Sequence, residues 1–228
     1  MTRLAALADR YRGRGAPEPD GVVRAMPVVL RLERPPAKRT PVLEAAAAAA
    51  LAVCLDPRAE PGGEWHDAVA AWVKAYIRKI ARRARGAHWE AVQELPGITW
   101  EVDGAQARAL LPGPVDEVPK VVSRLQIGGT DLEPDAPGEP PHGVPVIWVN
   151  AALGLTVGKA AAQVGHASML YAALHGLTEV PPFAVRDAGE ERWARLCAAA
   201  DEAGAVAVRD GGFTEVAPGT ITCIATGP

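Results

Sequence analysis

Three polar side chains share one face of an otherwise small and apolar segment, and their types could do chemistry. Lys159, Gln163 and His166 occur at positions i, i+4 and i+7. At about 100° per residue in an α-helix, the three lie within roughly 60° of one another. Thr156 is predicted as the N-cap residue, and Gly158 leaves the first turn open to close backbone approach. A lysine beside the N–H groups of a helix start forms an electropositive pocket suited to a carbonyl oxygen, a phosphate or a developing oxyanion.

A carboxylate and a hydroxyl further along the sequence could complete such a site. Asp210 begins a loop that contains Gly212 and Thr214. A carboxylate within reach would keep Lys159 charged and oriented. The set suits ester hydrolysis by direct attack of water, with Lys159 as electrostatic stabiliser, Asp210 as its orienting partner or as base, and Thr214 as positioner. The amide and the imidazole of the helix would then hold water or substrate.

Each of these residues also has an ordinary structural interpretation. An imidazole or an amide on an apolar helix is more often a satisfied core group, and an aspartate before two glycines favours a turn. Cys54, Cys197 and Cys223 sit among apolar neighbours, which predicts reduced core thiols and neither disulfides nor nucleophiles. No CxxC or HxxxH spacing occurs. We therefore predict no metal and no cofactor.

The net charge of −3 hides an uneven distribution. Residues 1–125 contain 19 basic and 15 acidic side chains, whereas residues 144–228 contain 5 and 8. The basic excess is densest between Arg78 and Gly86, and such a cluster can bind nucleic-acid phosphates. A solvated surface is the alternative interpretation. The candidate RNA contacts are Arg78, Lys79, Arg82, Arg83 and Arg85.

The chain presents the same order of elements twice, on either side of an acidic, proline-rich segment at residues 130–143. In each copy a short β-branched run precedes an Ala-rich helix with a threonine N-cap, and a tryptophan opens a helix-then-strand segment. An Asp-Gly turn follows in both copies. The matched pairs are Pro27 with Pro145, Thr40 with Thr156, Trp89 with Trp193, and Asp103 with Asp210.

Helices that alternate with short apolar strands predict an α/β fold. We expect two similar small α/β/α units, each with a four-stranded mixed sheet, produced by an internal duplication. The repeat requires a strand at 78–84, where local propensity alone favours a helix, and a last strand within 120–129. The expected organisation is an N-terminal tail (1–25), a first unit (26–129), a linker (130–143) and a second unit (144–228).

No segment predicts secretion or a membrane span. The N-terminal residues lack the apolar core of a signal peptide. The longest apolar run, between Glu44 and Asp56, is too short to cross a bilayer. We therefore expect a cytoplasmic protein that does not associate with membranes.

Two separated motifs resemble the type 2 (archaeal and eukaryotic type) peptidyl-tRNA hydrolase family. The first, Gly-Lys-x-Ala-Ala-Gln-x-x-His-Ala, occupies residues 158–167, and the second is the Asp210 loop followed by a Pro-Gly turn, a strand and Gly-Pro. The resemblance covers residues 144–228, and extends to 26–129 only through the repeat. It implies hydrolysis of the ester between a peptide and the 3′-terminal ribose of tRNA, with peptidyl-tRNA as partner and no cofactor. It also implies Lys159, Asp210 and Thr214 as catalytic residues, and Gly158, Gln163, His166 and Gly212 as substrate-binding residues.

The sequence departs from the family pattern in both copies. Phe213 stands where the family commonly has an arginine, Gly211 replaces an alanine, and the lysine before the second strand is absent. The first copy has lost the polar stripe, since Leu43, Ala47 and Ala50 occupy its aligned positions. Because the family generally forms homodimers, we expect an intramolecular pseudo-dimer, which would let the protein act as a monomer. Two alternatives stay open: a catalytically weak or inactive binding or regulatory protein, and hydrolysis of another acyl ester or amide.

Overall fold

The computed structural model describes residues 4, 7–8, 21–129, 131–200, 204–211 and 216–228. Strands and helices alternate through both halves of the chain. The first half contains β1 (Arg24–Arg31), α1 (Arg39–Leu55), α2 (His66–Lys74), β2 (Arg78–Ala84), α3 (Ala87–Gln93), β3 (Gly97–Val102), β4 (Ala105–Leu110), β5 (Gly113–Pro114) and α4 (Lys120–Ser123). The second half contains β6 (Val146–Asn150), α5 (Val157–His175), β7 (Ala184–Ala188), α6 (Glu190–Ala198), β8 (Val206–Arg209) and β9 (Ile221–Thr226). Short 3₁₀ turns occupy Pro57–Ala59 and Ala151–Leu153.

The two halves build sheets of the same topology. The strand order is β2-β1-β4-β3 in the first unit and β7-β6-β9-β8 in the second. In each sheet the first two strands are parallel, and the other neighbours are antiparallel. The short strand β5 pairs with β1 as an addition to the first sheet. The prediction of two similar α/β units with four-stranded mixed sheets is therefore confirmed.

Helices α1 and α5 pack against each other between the two sheets. Buried positions run all around α1, because it contacts its own sheet on one side and α5 on the other. Ser168 on α5 donates a hydrogen bond to the carbonyl oxygen of Ala47 on α1 at 2.8 Å, which joins the two helices directly. The inner apolar core is consequently continuous across both units. None of the helices described is both long and apolar enough to span a membrane.

A smaller apolar layer covers the outer face of each sheet. In the first unit Trp89 of α3 packs with Val29 of β1. In the second unit Trp193 of α6 packs against the cluster that contains Trp148 of β6. The two tryptophans matched by the repeat therefore occupy equivalent positions, each packing on the outer face of its own sheet.

The strand that the repeat required is present. Strand β2 runs parallel to β1, from the pair Ala25 and Arg78 to the pair Arg31 and Ala84. Its local composition favours a helix, so partners elsewhere in the fold decide its conformation.

The predicted last strand of the first unit was wrong. Strand β4 completes the sheet instead, directly after a two-residue turn at Asp103 and Gly104, whose φ angles of 47° and 76° are both positive. Residues 120–123 form α4. Val122 and Leu125, three positions apart, pack together on the outer face of the sheet. This spacing is helical, whereas the two adjacent valines had favoured a strand.

The N-cap of helix α1 lies two residues before the predicted N-cap, Thr40. Its N-cap residue is Lys38, which makes no capping hydrogen bond with its side chain. Asp135 supplies the cap from the intervening segment, because its Oδ1 accepts hydrogen bonds from the Thr40 N–H at 3.0 Å and from the Thr40 hydroxyl at 2.7 Å. In α5 the predicted cap is correct, since Thr156 precedes the helix and accepts from the N–H of Lys159.

The acidic segment also contacts the second unit. Arg186 on β7 donates to the carbonyl oxygen of Gly138 at 2.8 Å. Arg192 on α6 lies 3.3 Å from the carboxylate of Glu139. Together with the Asp135 cap, these contacts lay residues 135–139 across both units.

Part of the predicted N-terminal tail packs into the fold. Leu4 and Leu7 are each 2 % exposed and belong to the inner core. Most of residues 1–20 lie outside the described part of the chain.

Candidate functional site

The start of α5 carries the predicted electropositive residue. The Thr156 hydroxyl accepts the N–H of Lys159 at 3.4 Å, so the lysine lies in the first helical turn. Gly158 is buried beside it, and Lys159 itself is partly buried. The first turn is where the helix dipole is positive, and an ammonium there adds to a potential that attracts anions.

A buried hydrogen-bond network joins α5 to the end of β8. Gln163, one turn after Lys159 on the same face, donates from Nε2 to Oδ2 of Asp210 at 3.0 Å. The Thr222 hydroxyl on β9 donates to Oε1 of Gln163 at 2.8 Å. Gln163, Asp210 and Thr222 are 5 %, 6 % and 0 % exposed, which shields these bonds from water. Thr222 thereby orients the amide, and the amide holds the carboxylate.

An irregularity in the sheet places Asp210 in this network. The register between β8 and β9 shifts after Val208, and Thr222 falls within the shift. Such bulges re-aim side chains at strand ends. The backbone of Asp210 is held as well, because its N–H donates to Thr220 at 2.9 Å and its carbonyl oxygen accepts from Gly219 at 2.8 Å.

Two predicted site residues, Gly212 and Thr214, lie outside the described part of the chain. The glycine as a substrate contact and the threonine as a positioning hydroxyl therefore stay predictions. The described site consists of the α5 start and the network below it.

His166 faces the first unit. Its Nδ1 lies 3.2 Å from Nζ of Lys79 on β2. Burial lowers the pKa of Lys79 to about 7. Burial, and then the neighbouring Lys79, lower the pKa of His166 well below its ordinary value. Lys79 was a candidate RNA contact, but its amine points inward to this histidine.

Two arginines of the basic cluster, Arg82 and Arg83, bind the end of α4 and the chain that follows it. Arg82 donates to two carbonyl oxygens within residues 123–125, at 3.3 and 3.0 Å. Arg83 donates to the carbonyl oxygen of Gly129 at 2.9 Å and to the side chain of Gln126. These acceptors are neutral, so the bonds themselves do not neutralise the charge of either guanidinium group.

The other two arginines of the basic cluster, Arg78 and Arg85, make different contacts from those of Arg82 and Arg83. Arg78 lies over the ring of Tyr76, 4.9 Å from its centroid. Arg85 follows β2 and is exposed. Both can face an approaching polyanion more readily than Lys79.

The corresponding position of the first unit has a different composition. A surface cavity of about 550 Å³ lies there, lined by Lys38, Asp103 and three prolines among others. The sequence repeat aligns Leu43 with the second unit's lysine, whereas alignment of the helix starts would place Pro41 there. Neither residue is charged, so the first unit lacks a lysine at this position, although Lys38 and Arg39 place positive charge at the start of α1.

One residue and one contact that shape the site were not predicted. Thr222 carried one available signal, a hydroxyl inside a mostly apolar strand, but the register shift prevented strand alternation from assigning it to a face of the sheet. The pairing of Lys79 with His166 had no signal, because it depends on how the two units pack.

The chain has three cysteines, of which Cys223 directly follows Thr222 in sequence. All three are free thiols. Burial raises the pKa of Cys54 to about 12 and raises that of Cys223 as well, which suppresses the nucleophilic thiolate. Within the described ranges, no group of three histidine, cysteine, aspartate or glutamate side chains could hold a metal ion.

Residues 144–228 match the family model of peptidyl-tRNA hydrolase PTH2. The match begins just before β6 and contains Lys159, Gln163, Asp210 and Thr222, and it confirms the resemblance seen in the two motifs. Comparisons with curated proteins and with solved structures gave no match. The second unit is therefore similar to the peptidyl-tRNA hydrolase PTH2 family, while the first unit lies outside the matched range.

Proposed function

We propose that the second unit hydrolyses the ester bond of peptidyl-tRNA, releasing the peptide and recycling the tRNA. The observation that carries this proposal is the buried Gln163–Asp210 hydrogen bond one helical turn below Lys159, inside the range that matches the family. A carboxylate held by an oriented amide next to a helix-start lysine suits polarisation of a carbonyl and positioning of a water.

In this proposal Lys159 stabilises the oxyanion that develops as water attacks the ester carbonyl. The N–H groups and the dipole of the helix start stabilise the same oxyanion, because both favour a negative group. Asp210 orients the lysine or accepts the proton of the attacking water. Thr214 positions the water, and the ribose hydroxyl leaves with a proton. No covalent enzyme intermediate is needed, since the ester is intrinsically labile.

The first unit would supply the attraction for tRNA. The second unit is acidic, with 5 basic against 8 acidic side chains, whereas residues 1–125 carry a balance of +4. Arg78, Arg82, Arg83 and Arg85 are the proposed phosphate contacts. Lys79 is omitted from the set because it is turned toward His166.

Hydrolysis of N-acetyl-aminoacyl-tRNA by the full chain tests the proposal directly. The Lys159→Ala variant should lose roughly 10²–10³-fold in kcat/KM, the size of loss that follows removal of one preorganised oxyanion stabiliser. Lys74→Ala is the matched control, because that lysine is exposed at the end of α2, away from the site. It should hydrolyse the substrate like the wild type.

The outcomes separate the alternatives. Unchanged turnover in a folded Lys159→Ala protein would remove the lysine from the mechanism. Binding of tRNA without turnover by the wild type would favour a binding or regulatory protein, consistent with Phe213 in place of the family's arginine. Turnover of simple acyl esters but not of acylated tRNA would indicate a different substrate.

A further inference from the structure

A side chain of the first unit reaches the polar stripe of α5. Nζ of Lys79 lies 3.2 Å from Nδ1 of His166. The stem of Lys79 crosses α5 at Gly165, where an added Cβ would lie 3.0 Å from Lys79 Cδ and 3.2 Å from Ala50 Cβ. A residue with a side chain would push against the lysine at this point. The crossing is therefore close, and a side chain larger than that of alanine would displace the stem.

The backbone around Lys79 is strained in a way that serves this contact. Ile77 has a φ of 44°, a left-handed conformation that is unfavourable for a β-branched residue. Its carbonyl oxygen lies 3.5 Å from the Lys79 amine. The indole N–H of Trp72 donates to the carbonyl oxygen of Arg78 at 2.9 Å and thereby holds the corner between α2 and β2. Strain of this kind persists only where the surroundings enforce it.

The contacts of the Lys79 amine favour its role as a donor. Its other neighbours include the Ile77 carbonyl oxygen, the ring of Trp72, whose centroid is 5.1 Å away, and the buried Cys54 thiol of α1. A carbonyl oxygen can only accept, and an aromatic face attracts a cation. As an ammonium, Lys79 can only donate to Nδ1, which puts the single ring proton of a neutral His166 on Nε2. The lowered pKa of His166 keeps the ring neutral near pH 7.

We propose that Lys79 is a positioning residue contributed by the first unit, which holds His166 as the Nε2–H tautomer so that its ring presents a donor to the bound substrate or water. The proposal rests on the proposed function of the second unit. It gives the first unit a part in the site although its own polar stripe is absent. This hydrogen bond would then add a link at the site to the contacts that already join the two units, such as the bond from Ser168 to Ala47.

Nitrogen-15 NMR of the full chain at pH 6 tests the tautomer without any variant. The expected spectrum shows Nδ1 of His166 as an unprotonated acceptor and Nε2 as protonated. A wild-type ring protonated on Nδ1 would overturn the proposal, whether or not the protein hydrolyses peptidyl-tRNA. Conversely, an inactive wild type with the expected tautomer would contradict only the proposed function.

The Lys79→Met variant removes the amine and keeps an apolar stem. We expect a mixture of the two tautomers of His166, a kcat lowered roughly 10- to 100-fold as for a misplaced reacting group, and a KM within about twofold of wild type, since a positioning role leaves uniform binding intact. Lys74→Met is the control and should change neither readout. An unaltered tautomer in folded Lys79→Met would contradict the assignment.

A double-mutant cycle decides whether Lys79 acts through His166. The kcat of Lys79→Met/His166→Gln should equal that of the more impaired single variant, because the two residues would act as a unit. Fully additive losses would show that Lys79 supports the site by another route, and would overturn the proposal.

Discussion

At the scale of single residues, the candidate site depends on how Gln163 is held. Its carboxamide has one acceptor and two donors that can be exchanged by a flip of the group. The Thr222 hydroxyl donates to the oxygen, so the nitrogen faces the Asp210 carboxylate. A buried carboxylate needs such donors, since leaving a charged group unpaired away from water is costly. The amide thus has a structural reason for its place even before any catalytic role.

Replacement of Gln163 by leucine should expose this dependence. The variant removes the donor to Asp210 and the acceptor of Thr222, so we expect a loss of about 1–3 kcal/mol in the free energy of unfolding, measured by urea denaturation. Hydrolysis should fall as well, because the carboxylate is less well held. Thr222→Val is the milder companion, at about 0.5–1.5 kcal/mol, since it removes one hydroxyl donor and keeps the Gln163–Asp210 hydrogen bond. Equal stability of Gln163→Leu and the wild type would contradict the network's importance.

At the scale of elements, each of the two central helices, α1 and α5, forms polar contacts with an edge strand of the other unit. Helix α1 does so through charge: Arg39 pairs with Asp187 at 2.7 Å, and the Glu44 carboxylate accepts both from the Val185 N–H at 3.0 Å and from Arg186 at 3.2 Å. Helix α5 does so on β2 through the Lys79–His166 hydrogen bond. The same relation between helix and partner strand, made twice, is what a pseudo-dimer of two similar units requires.

The close crossing at Gly165 predicts a graded response to side-chain size. Gly165→Ala gains about 1 kcal/mol of helix propensity against tight contacts with the flexible Lys79 stem and with Ala50 Cβ, so its unfolding free energy should stay near the wild-type value. Gly165→Leu cannot be accommodated by the stem and should lose about 1–3 kcal/mol from overpacking. Thermal and urea denaturation measure both. A leucine variant as stable as the alanine variant would mean that the two helices are not closely packed at this position.

The Lys79–His166 contact also predicts how stability varies with pH. The pKa of Lys79 falls from an ordinary value of 10.5 to about 7 in the folded protein, so the unfolded chain binds more protons between these values. Stability should therefore rise as pH increases from about 7, and the lowered pKa of His166 adds a rise at more acidic pH. The raised pKa of Cys54, the thiol that faces Lys79 from α1, acts in the opposite direction only at more alkaline pH. Urea denaturation of the wild type and Lys79→Met at pH 6.5, 7.5 and 8.5 measures the difference; an identical pH dependence would show that the amine is not buried.

Sequence comparison of the two units predicted the strands and helices that occur in both of them. The strand at 78–84 was predicted by comparison with the second unit, although its own residues favour a helix, because pairing with β1 outweighs local propensity. Strand β4 was not predicted, because the comparison with the second unit led us to expect a long connection like that from Asp210 to β9. In the first unit the connection is only the tight turn at Asp103 and Gly104. Lys159 and Gln163 followed from helical spacing. The Lys79–His166 contact did not, because no local pattern specifies the packing of two units.

At the scale of the whole molecule, charge and chemistry lie in different units. The second unit holds the candidate site but is acidic, and the basic excess lies in residues 1–125. A tRNA attracted by the first unit would need to reach across the shared core to place its 3′ end at α5. Fusion of the two units in one chain keeps those surfaces in a constant relation, as a separate binding protein could not.

The salt dependence of tRNA binding tests this division. If Arg78 and Arg85 contact phosphates, the double variant Arg78→Gln/Arg85→Gln should flatten the slope of log K against log salt by roughly 0.7–0.9 for each lost contact, and raise KM with little change in kcat at saturation. These two are chosen because replacing Arg82 or Arg83 would also release the segment after α4. Lys79→Met is the matched control: it removes a positive charge of the same strand that is turned inward, so it should lower kcat and leave the slope unchanged. Equal slopes for the wild type and the double variant would make the arginines an ordinary solvated face. A slope flattened by Lys79→Met would instead mean that the lysine turns outward when RNA binds.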